Sequence, residues 1–395
     1  MAGKHRRIGP KKSQRWLPPG RVGPYSRAYR QTLPQSFALE RNPMSIDQFL
    51  EVAAPAAPAD FFESLARSAP APDWLFAGIV RAWCLDPVRT TVTMITVSEN
   101  ATFLVASDGA PIAVTRVARP GYMADAAAFE SEVAWVSTLS SSGLVPVPQG
   151  LPTVDGSFVA VVPDERGVTW WCVSYSYVAG TILEDVTDPV PYYREIGRTT
   201  ALLHDHAARW TPPAGFRRHS WELTDMVGPG CRWGHWQDVG YEPDELAIVA
   251  AAEAAALASL AGAPRTADTW GLIHADLRPS NIMIDADRLT VIDFDDCGFS
   301  WFLYDFASAL TFMEHMVDAG TMATRWIEGY TQVRPLSPAQ LRLGCDLSMI
   351  RRLQMLGWTT THREDALPPA LWSAQKSGTL EVAQRYLRSP TWLID

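Results

Sequence analysis

Two short runs constrain this chain more than anything else in it: H-A-D-L-R-P-S-N-I-M-I at residues 274–284 and V-I-D-F-D-D at residues 291–296. Asp276 is followed five residues on by Asn281, and twelve residues later by Asp293. Between them, apolar runs at 282–284 and 289–292 flank Asp285-Ala286-Asp287, which predicts a small hairpin with polar side chains gathered at its base. A hydroxyl attacks phosphorus efficiently only when it is held in line and its proton is accepted, and a carboxylate at a strand-to-loop junction does both. Asp276 occupies that place. An asparagine amide oxygen and an aspartate are the hard oxygen donors that Mg²⁺ prefers, so Asn281 and Asp293 are the candidate metal ligands. Read one at a time, the three residues are a loop cap, a turn former and a strand-end acid; their joint spacing is what points to chemistry.

With 395 residues, 47% of them apolar, the chain can bury a sizeable core in two or three structural units. Residues 1–43 hold ten Lys/Arg against Glu40 alone, which predicts a basic disordered tail. Residues 44–88 read as a helical N-terminal segment, with pieces at 46–52, 61–66 and 74–83 broken by the Pro/Ala stretch at 54–58. The period then changes to short β-branched runs at 91–97, 102–106 and 111–117, with Asp108-Gly109 at a hairpin turn. A helix at 125–139 presents Phe129, Val133, Trp135 and Val136; strands at 157–162 and 170–178 follow, ended by Ala179-Gly180. Beyond Tyr192 the pattern is helical except for the hairpin, starting with 193–208, whose Ile196, Leu203 and Ala207 face a core. The expectation is an α+β chain, with an antiparallel sheet and one helix in residues 89–180 and a mainly helical part in residues 181–395.

Several classes are disfavoured. The five cysteines include no C-x-x-C pair, so neither a disulfide framework nor a thiolate zinc site is indicated, and a reducing cytoplasm fits. The basic tail lacks the apolar region of a secretory signal. The weakly charged run 246–263 is mostly alanine and reads as a soluble helix opened by Glu242, Asp244 and Glu245, not as a membrane span. The whole chain is −9, and the +9 of the tail leaves −18 on residues 44–395, which disfavours nucleic acid and favours a cationic acceptor. His204-Asp205-His206, His219 and His235 match no metal-ligand spacing, and the sixteen tryptophans read as core and cleft wall.

The run Thr200-Ala201-Leu202-Leu203-His204 resembles the A-x-L-H helix of the aminoglycoside phosphotransferase and choline kinase superfamily. Residues 293–305 resemble its I-D-F-x-D-x-x-x-G-x-x-x-x-D-L-A block. The likeness spans residues 88–330, and within the superfamily it is nearest to the bacterial homoserine-kinase-like branch of the phosphotransferase enzyme family. It implies a bilobal protein-kinase-like fold, with an N-lobe sheet, a helical C-lobe carrying the catalytic loop and acceptor site, and Mg²⁺ with ATP between them, GTP being left open. The family's strand lysine has no counterpart, since the four lysines are Lys4, Lys11, Lys12 and Lys376. Arg116 is therefore the implied phosphate grip, with Glu132 or, at similar spacing, Glu130 as its partner. No glycine occurs between Gly78 and Gly109, so Ser98 and Asn100 stand where a glycine-rich loop is usual. Backbone groups of Ser176 and Val178 are implied to hold the adenine. Arg278 either neutralises the transferred phosphate or pairs with an acid, Asp305 caps the next helix and with His274 holds the catalytic loop, and Asp295 and Asp296 assist the site or merely face solvent. The implied activity is phosphorylation of a small-molecule hydroxyl, with homoserine first and other amino alcohols, sugars and aminoglycosides after it. A bacterial stress-type protein Ser/Thr kinase and a catalytically weak nucleotide-binding regulator are the alternatives.

Overall fold

The alternating runs of the first half form one antiparallel sheet. The computed structural model describes residues 61, 65–119, 123, 125–286, 288–362 and 367–395, which lie within the compact unit Ala56–Asp395. The basic tail and the helical piece at 46–52 lie outside the described residues; of the piece at 61–66, Leu65 and Ala66 are not helical. Strands β1 (Thr90–Val97), β2 (Asn100–Ser107), β3 (Ala110–Ala118), β4 (Val159–Pro163) and β5 (Thr169–Ser176) lie in the order β1-β2-β3-β5-β4. Asp108 and Gly109 turn the β2–β3 hairpin with φ of 49° and 79°, the left-handed pair that suits the twist of a two-residue hairpin.

The period of two decides what each face carries. Ala113 and Val117 of β3 join Leu75 and Ile79 of helix α1 (Asp73–Ala82) in one apolar cluster. Arg116 lies on the other face, in register with Thr102 on one side and Val173 on the other. Helix α2 (Ala126–Ser142) covers part of that face with Phe129 and Val133. It starts at Asp125, whose side chain accepts from the Ala128 N–H, and stops at left-handed Gly143.

The chain leaves the sheet through Gly180, at φ 131°, where a Cβ would strike the Ile284 carbonyl. Strand β6 (Thr181–Ile182) then pairs with β8 (Ile282–Asp285) of the expected hairpin, whose second strand is β9 (Arg288–Val291). A second pair joins β7 (Trp270–Ile273) to β10 (Gly298–Trp301). Around them lie helices α3 (Tyr193–Arg209), α4 (Pro243–Leu260), α5 (Tyr304–Ala309), α6 (Ala319–Tyr330), α7 (Pro338–Trp358) and α8 (Pro369–Arg388). Glu242 and Glu245 form a capping box on α4, which starts and ends three residues before the predicted 246–263. Helix α7 is buried throughout its last fifteen residues, from Gly344 to Trp358, with α4, α5 and α8 against it. The α+β expectation therefore holds, with strand β5 stopping at Ser176 instead of running to Val178.

Helices α3 and α6 meet backbone to backbone, because a Cβ on Gly197 would run into the Trp326 carbonyl and one on Gly329 into that of Arg194. Gly197→Ala is expected to destabilise the protein by about 1–3 kcal/mol, the usual range for overpacking. Gly262→Ala, where a Cβ meets nothing within 4 Å, serves as the control in the same denaturant titration.

Candidate active site

The site is built on the loop that follows β7. Asp305 of α5, fully buried, accepts the His274 N–H at Oδ2 (3.1 Å) and the Ala275 N–H at Oδ1 (2.7 Å). It is not a helix cap, since its carboxylate goes to the loop instead. His204 Nε2 donates to the same carboxylate at 3.0 Å, and its Nδ1 receives the Tyr330 hydroxyl at 2.9 Å. Burial lowers the His204 pKa against the pull of Asp305, which suits this neutral tautomer. His274 ties the loop to the second half of the motif, for its Nδ1 accepts the Asp276 N–H (3.2 Å) and its Nε2 donates to the Ile292 carbonyl (3.1 Å). Ala275 and Asp293 are held at φ 70° and 60°, conformations that side chains other than glycine seldom adopt and that the surrounding bonds must enforce.

These constraints bring Asp276 and Asn281 together. Asp276 Oδ2 accepts Asn281 Nδ2 at 2.8 Å and Arg278 Nε at 3.1 Å, so Arg278 pairs with an acid in this structure. Asn281 Nδ2 also reaches the Asp276 carbonyl at 2.9 Å, which leaves its Oδ1 outside these bonds. Asp276 Oδ1 accepts Arg351 Nη2 at 2.5 Å. Arg351 had no place in the sequence reading.

Arg116 joins the sheet to Asp293. Its Nη2 lies 2.5 Å from Glu132 Oε2 and its Nη1 3.4 Å from Asp293 Oδ1, while its buried Nε has no partner. Glu132 is fully buried and accepts the Tyr175 hydroxyl at 2.7 Å, whereas Glu130 is exposed, so the open choice of partner falls to Glu132. Burial opposes charge on both members, yet mutual attraction outweighs it, raising Arg116 and lowering Glu132. A second arginine missed in the sequence, Arg218, has a buried side chain that donates to the carbonyls of Ala128 (3.0 Å), Cys297 (2.5 Å) and Asp295, so α2 is clamped to the loop after Asp293.

The turn between β1 and β2 departs from expectation. Asn100 is buried, its Nδ2 donating to Asp295 (2.8 Å) and its Oδ1 accepting the Arg119 N–H (3.2 Å), so its side chain is engaged within the protein. The Ser98 N–H closes the turn on the Asn100 carbonyl at 2.9 Å, and its own carbonyl accepts from Arg119. Glu99 reaches the far end of α7, accepting Trp358 Nε1 at 2.8 Å and pairing with His362 Nε2 at 2.9 Å. Burial alone would raise its pKa, but those partners bring it down to about 2. The Ser176 N–H is likewise taken, by the Gln149 carbonyl at 2.8 Å. Among the described residues, neither the Ser176 carbonyl nor the Val178 backbone makes such a bond outside the strands, so of the Ser176 backbone it is the N–H alone that is taken.

Asp293, Asp295 and Asp296 crowd one loop. Burial first, then Asp293 and Asp296, push the Asp295 carboxyl well above the ordinary range; burial raises Asp293 in the same sense, with the Arg116 charge opposing the rise. Among the described residues no group of three or more His, Cys, Asp or Glu is arranged to hold a metal by itself. The Ile292 N–H donates to the Asn281 carbonyl at 3.0 Å, which brings the chain at Asn281 beside the residue before Asp293; an amide oxygen and a carboxylate are the hard donors that suit an ion such as Mg²⁺, which takes few protein ligands and completes its shell with phosphate and water. Nearby, the turn Leu183–Asp185 lies against the turn Pro279–Asn281. Its Glu184 is half-buried with its carboxyl raised by that burial, and Arg278 opposes the rise.

The description "Phosphotransferase enzyme family" matches residues 95–336. A solved microcompartment-associated aminopropanol kinase is 34% identical, covers 80% of this chain and 98% of its own, and superposes with a TM-score of 0.72. Amicoumacin kinase of Bacillus subtilis (strain 168) is 25% identical over 237 residues, 57% of this chain and 67% of that protein. Homoserine kinase of Parvibaculum lavamentivorans is 41% identical over 75 residues, 18% of this chain and 23% of that protein.

A carboxyl whose native pKa is raised costs stability above its unfolded pKa and nothing well below it. Asp295→Asn is therefore expected to raise the melting temperature at pH 8, with a gain that shrinks as the pH falls towards 4. A gain independent of pH in the melting series would point to a cause other than the buried charge.

Proposed function

The chain belongs to the phosphotransferase enzyme family, and from that premise we propose that it transfers a phosphoryl group from Mg-ATP to the hydroxyl of a small amino alcohol. The observation that carries this reading is the Asp276 carboxylate fixed by Asn281 and Arg278, facing a loop on which Asp293 meets the Arg116–Glu132 pair. Asp276 receives the acceptor hydroxyl and its proton. Arg278 balances charge on the phosphoryl group in transit. Asn281 Oδ1 and Asp293 hold Mg²⁺, which when bound supplies neutralising charge to the phosphates. Arg116, stiffened by Glu132, keeps beside Asp293 the positive charge that a strand lysine normally brings to the phosphates. The Ser176 carbonyl and the Val178 backbone are the candidates for the adenine.

The acceptor class follows from charge. Among the described residues Glu184 has no hydrogen-bond or ion-pair partner, yet it lies within electrostatic reach of Asp276 and Arg278, a suitable place for a substrate ammonium. The names of the aminopropanol and homoserine kinases, both acting on amino alcohols, support the same class. No described helix is long and apolar enough to cross a membrane.

A nucleotide-consumption panel of aminopropanol, ethanolamine, homoserine, sugars and aminoglycosides is expected to give turnover with the small amino alcohols first. Asp276→Asn is expected to lower kcat by roughly 10²–10⁴-fold, the scale of a lost general base, with Mg-nucleotide affinity retained. A folded Asp276→Asn protein with wild-type turnover would remove that residue from the role. Arg116→Ala is expected to weaken Mg-nucleotide binding by about 1 kcal/mol or more, and adding Glu132→Ala should change little further. Full additivity in calorimetric titration would separate the pair.

A further inference from the structure

One full charge in the buried half of the site has no task in the reaction as described. Arg351 lies in the middle of α7 with no solvent exposure. Each of its three nitrogens donates one hydrogen bond: Nη2 to Asp276 Oδ1 at 2.5 Å, Nη1 to the Tyr304 hydroxyl at 2.9 Å, and Nε to Thr311 Oγ1 at 3.1 Å. The rings of Trp233 and Tyr304 stand 5.4 and 5.5 Å from its guanidinium carbon. A guanidinium is costly to bury, and one held by three hydrogen bonds and two rings has a single available orientation.

The count of lone pairs on Asp276 gives that orientation a consequence. A carboxylate offers about four acceptor positions on its two oxygens. Arg278 and Asn281 fill both positions on Oδ2, and Arg351 fills one on Oδ1. The position left for an acceptor hydroxyl is the second one on Oδ1, beside Arg351.

We propose that Arg351 is a positioning residue for phosphoryl transfer, holding Asp276 Oδ1 from the buried side so that its remaining lone pair faces the acceptor hydroxyl. In that step the acceptor O–H bond breaks and its proton passes to Oδ1. The hydroxyl oxygen forms the new bond to the terminal phosphorus of the nucleoside triphosphate, and the nucleoside diphosphate leaves with the electron pair of the broken P–O bond. The inference rests on Asp276 as proton acceptor; a merely structural Arg351 would fill the space between Trp233 and Tyr304 and affect fold alone.

The test is a kinetic double-mutant cycle on the full chain, with Arg351→Met and Arg351→Lys each made in the wild type and in Asp276→Asn, and with melting and Mg-nucleotide titration on every variant. Arg351→Met is expected to lower kcat by about 10²-fold, the cost of misplacing a reacting group, with nucleotide affinity unchanged. Arg351→Lys should recover about tenfold of that loss, since it restores the charge without the fork. In Asp276→Asn the same Arg351 substitutions should change kcat by less than about threefold, because the group through which they act is already lost. Equal fold-losses in both backgrounds, or an unchanged kcat in Arg351→Met, would overturn the proposal. If Arg351→Met does not fold, the Arg351→Lys arm decides by the same comparison. Wild-type turnover in Asp276→Asn alone would overturn the reading of Asp276, and this proposal with it, whereas additivity over an impaired Asp276→Asn overturns the proposal only.

Discussion

The Asp305 carboxylate, sealed from solvent, takes two backbone N–H groups of the catalytic loop and the ring of His204, and much of the site follows from that arrangement. A buried carboxylate is tolerated only where its lone pairs are satisfied, so the loop cannot shift without exposing an unpaired charge to a low-dielectric interior. The left-handed Ala275 is held by the same bonds, which turn the next residue, Asp276, towards the cleft. His274 then relays the position to Ile292, one residue before Asp293. Two carboxylates seventeen residues apart are thereby fixed relative to each other through main-chain bonds.

A second network organises charge above them. Glu132 serves Arg116, Tyr175 and, at 3.8 Å, Arg218, so one fully buried acid fixes a cation from the sheet and approaches another from the segment between α3 and α4. The missing strand lysine is not a gap in this arrangement. Arginine needs more donors satisfied than lysine does, and the structure places Glu132 and Asp293 at its two terminal nitrogens.

How far this could be read from the sequence depended on where each residue's partners come from. Asp276, Asn281 and Asp293 are carried by one loop and one hairpin, so their spacing in the chain already encodes their spacing in space. The β3 position of Arg116 followed from β-branched alternation, and its implied role from the family resemblance together with the absence of any lysine between Lys12 and Lys376. Asn100 and Ser176 lie in the expected elements, yet tertiary neighbours engage part of each: Asp295 takes the Asn100 side-chain amide and Gln149 the Ser176 N–H. Arg351 is 75 residues from Asp276, and its only local signal is a charged pair inside the apolar run M-I-R-R-L-Q-M-L, a pattern that fixes burial but not the partner. Arg218, 77 to 90 residues from its carbonyl partners, gave no local signal at all.

The tie from Glu99 to Trp358 and His362 spans the fold. It joins the turn between β1 and β2 to the end of α7, and a turn without glycine has little backbone freedom to flex by itself. Moving that turn away from α7 must first release a carboxylate from an indole and an imidazole. One acid side chain thus makes the position of the first hairpin of the sheet depend on the helix that carries Arg351.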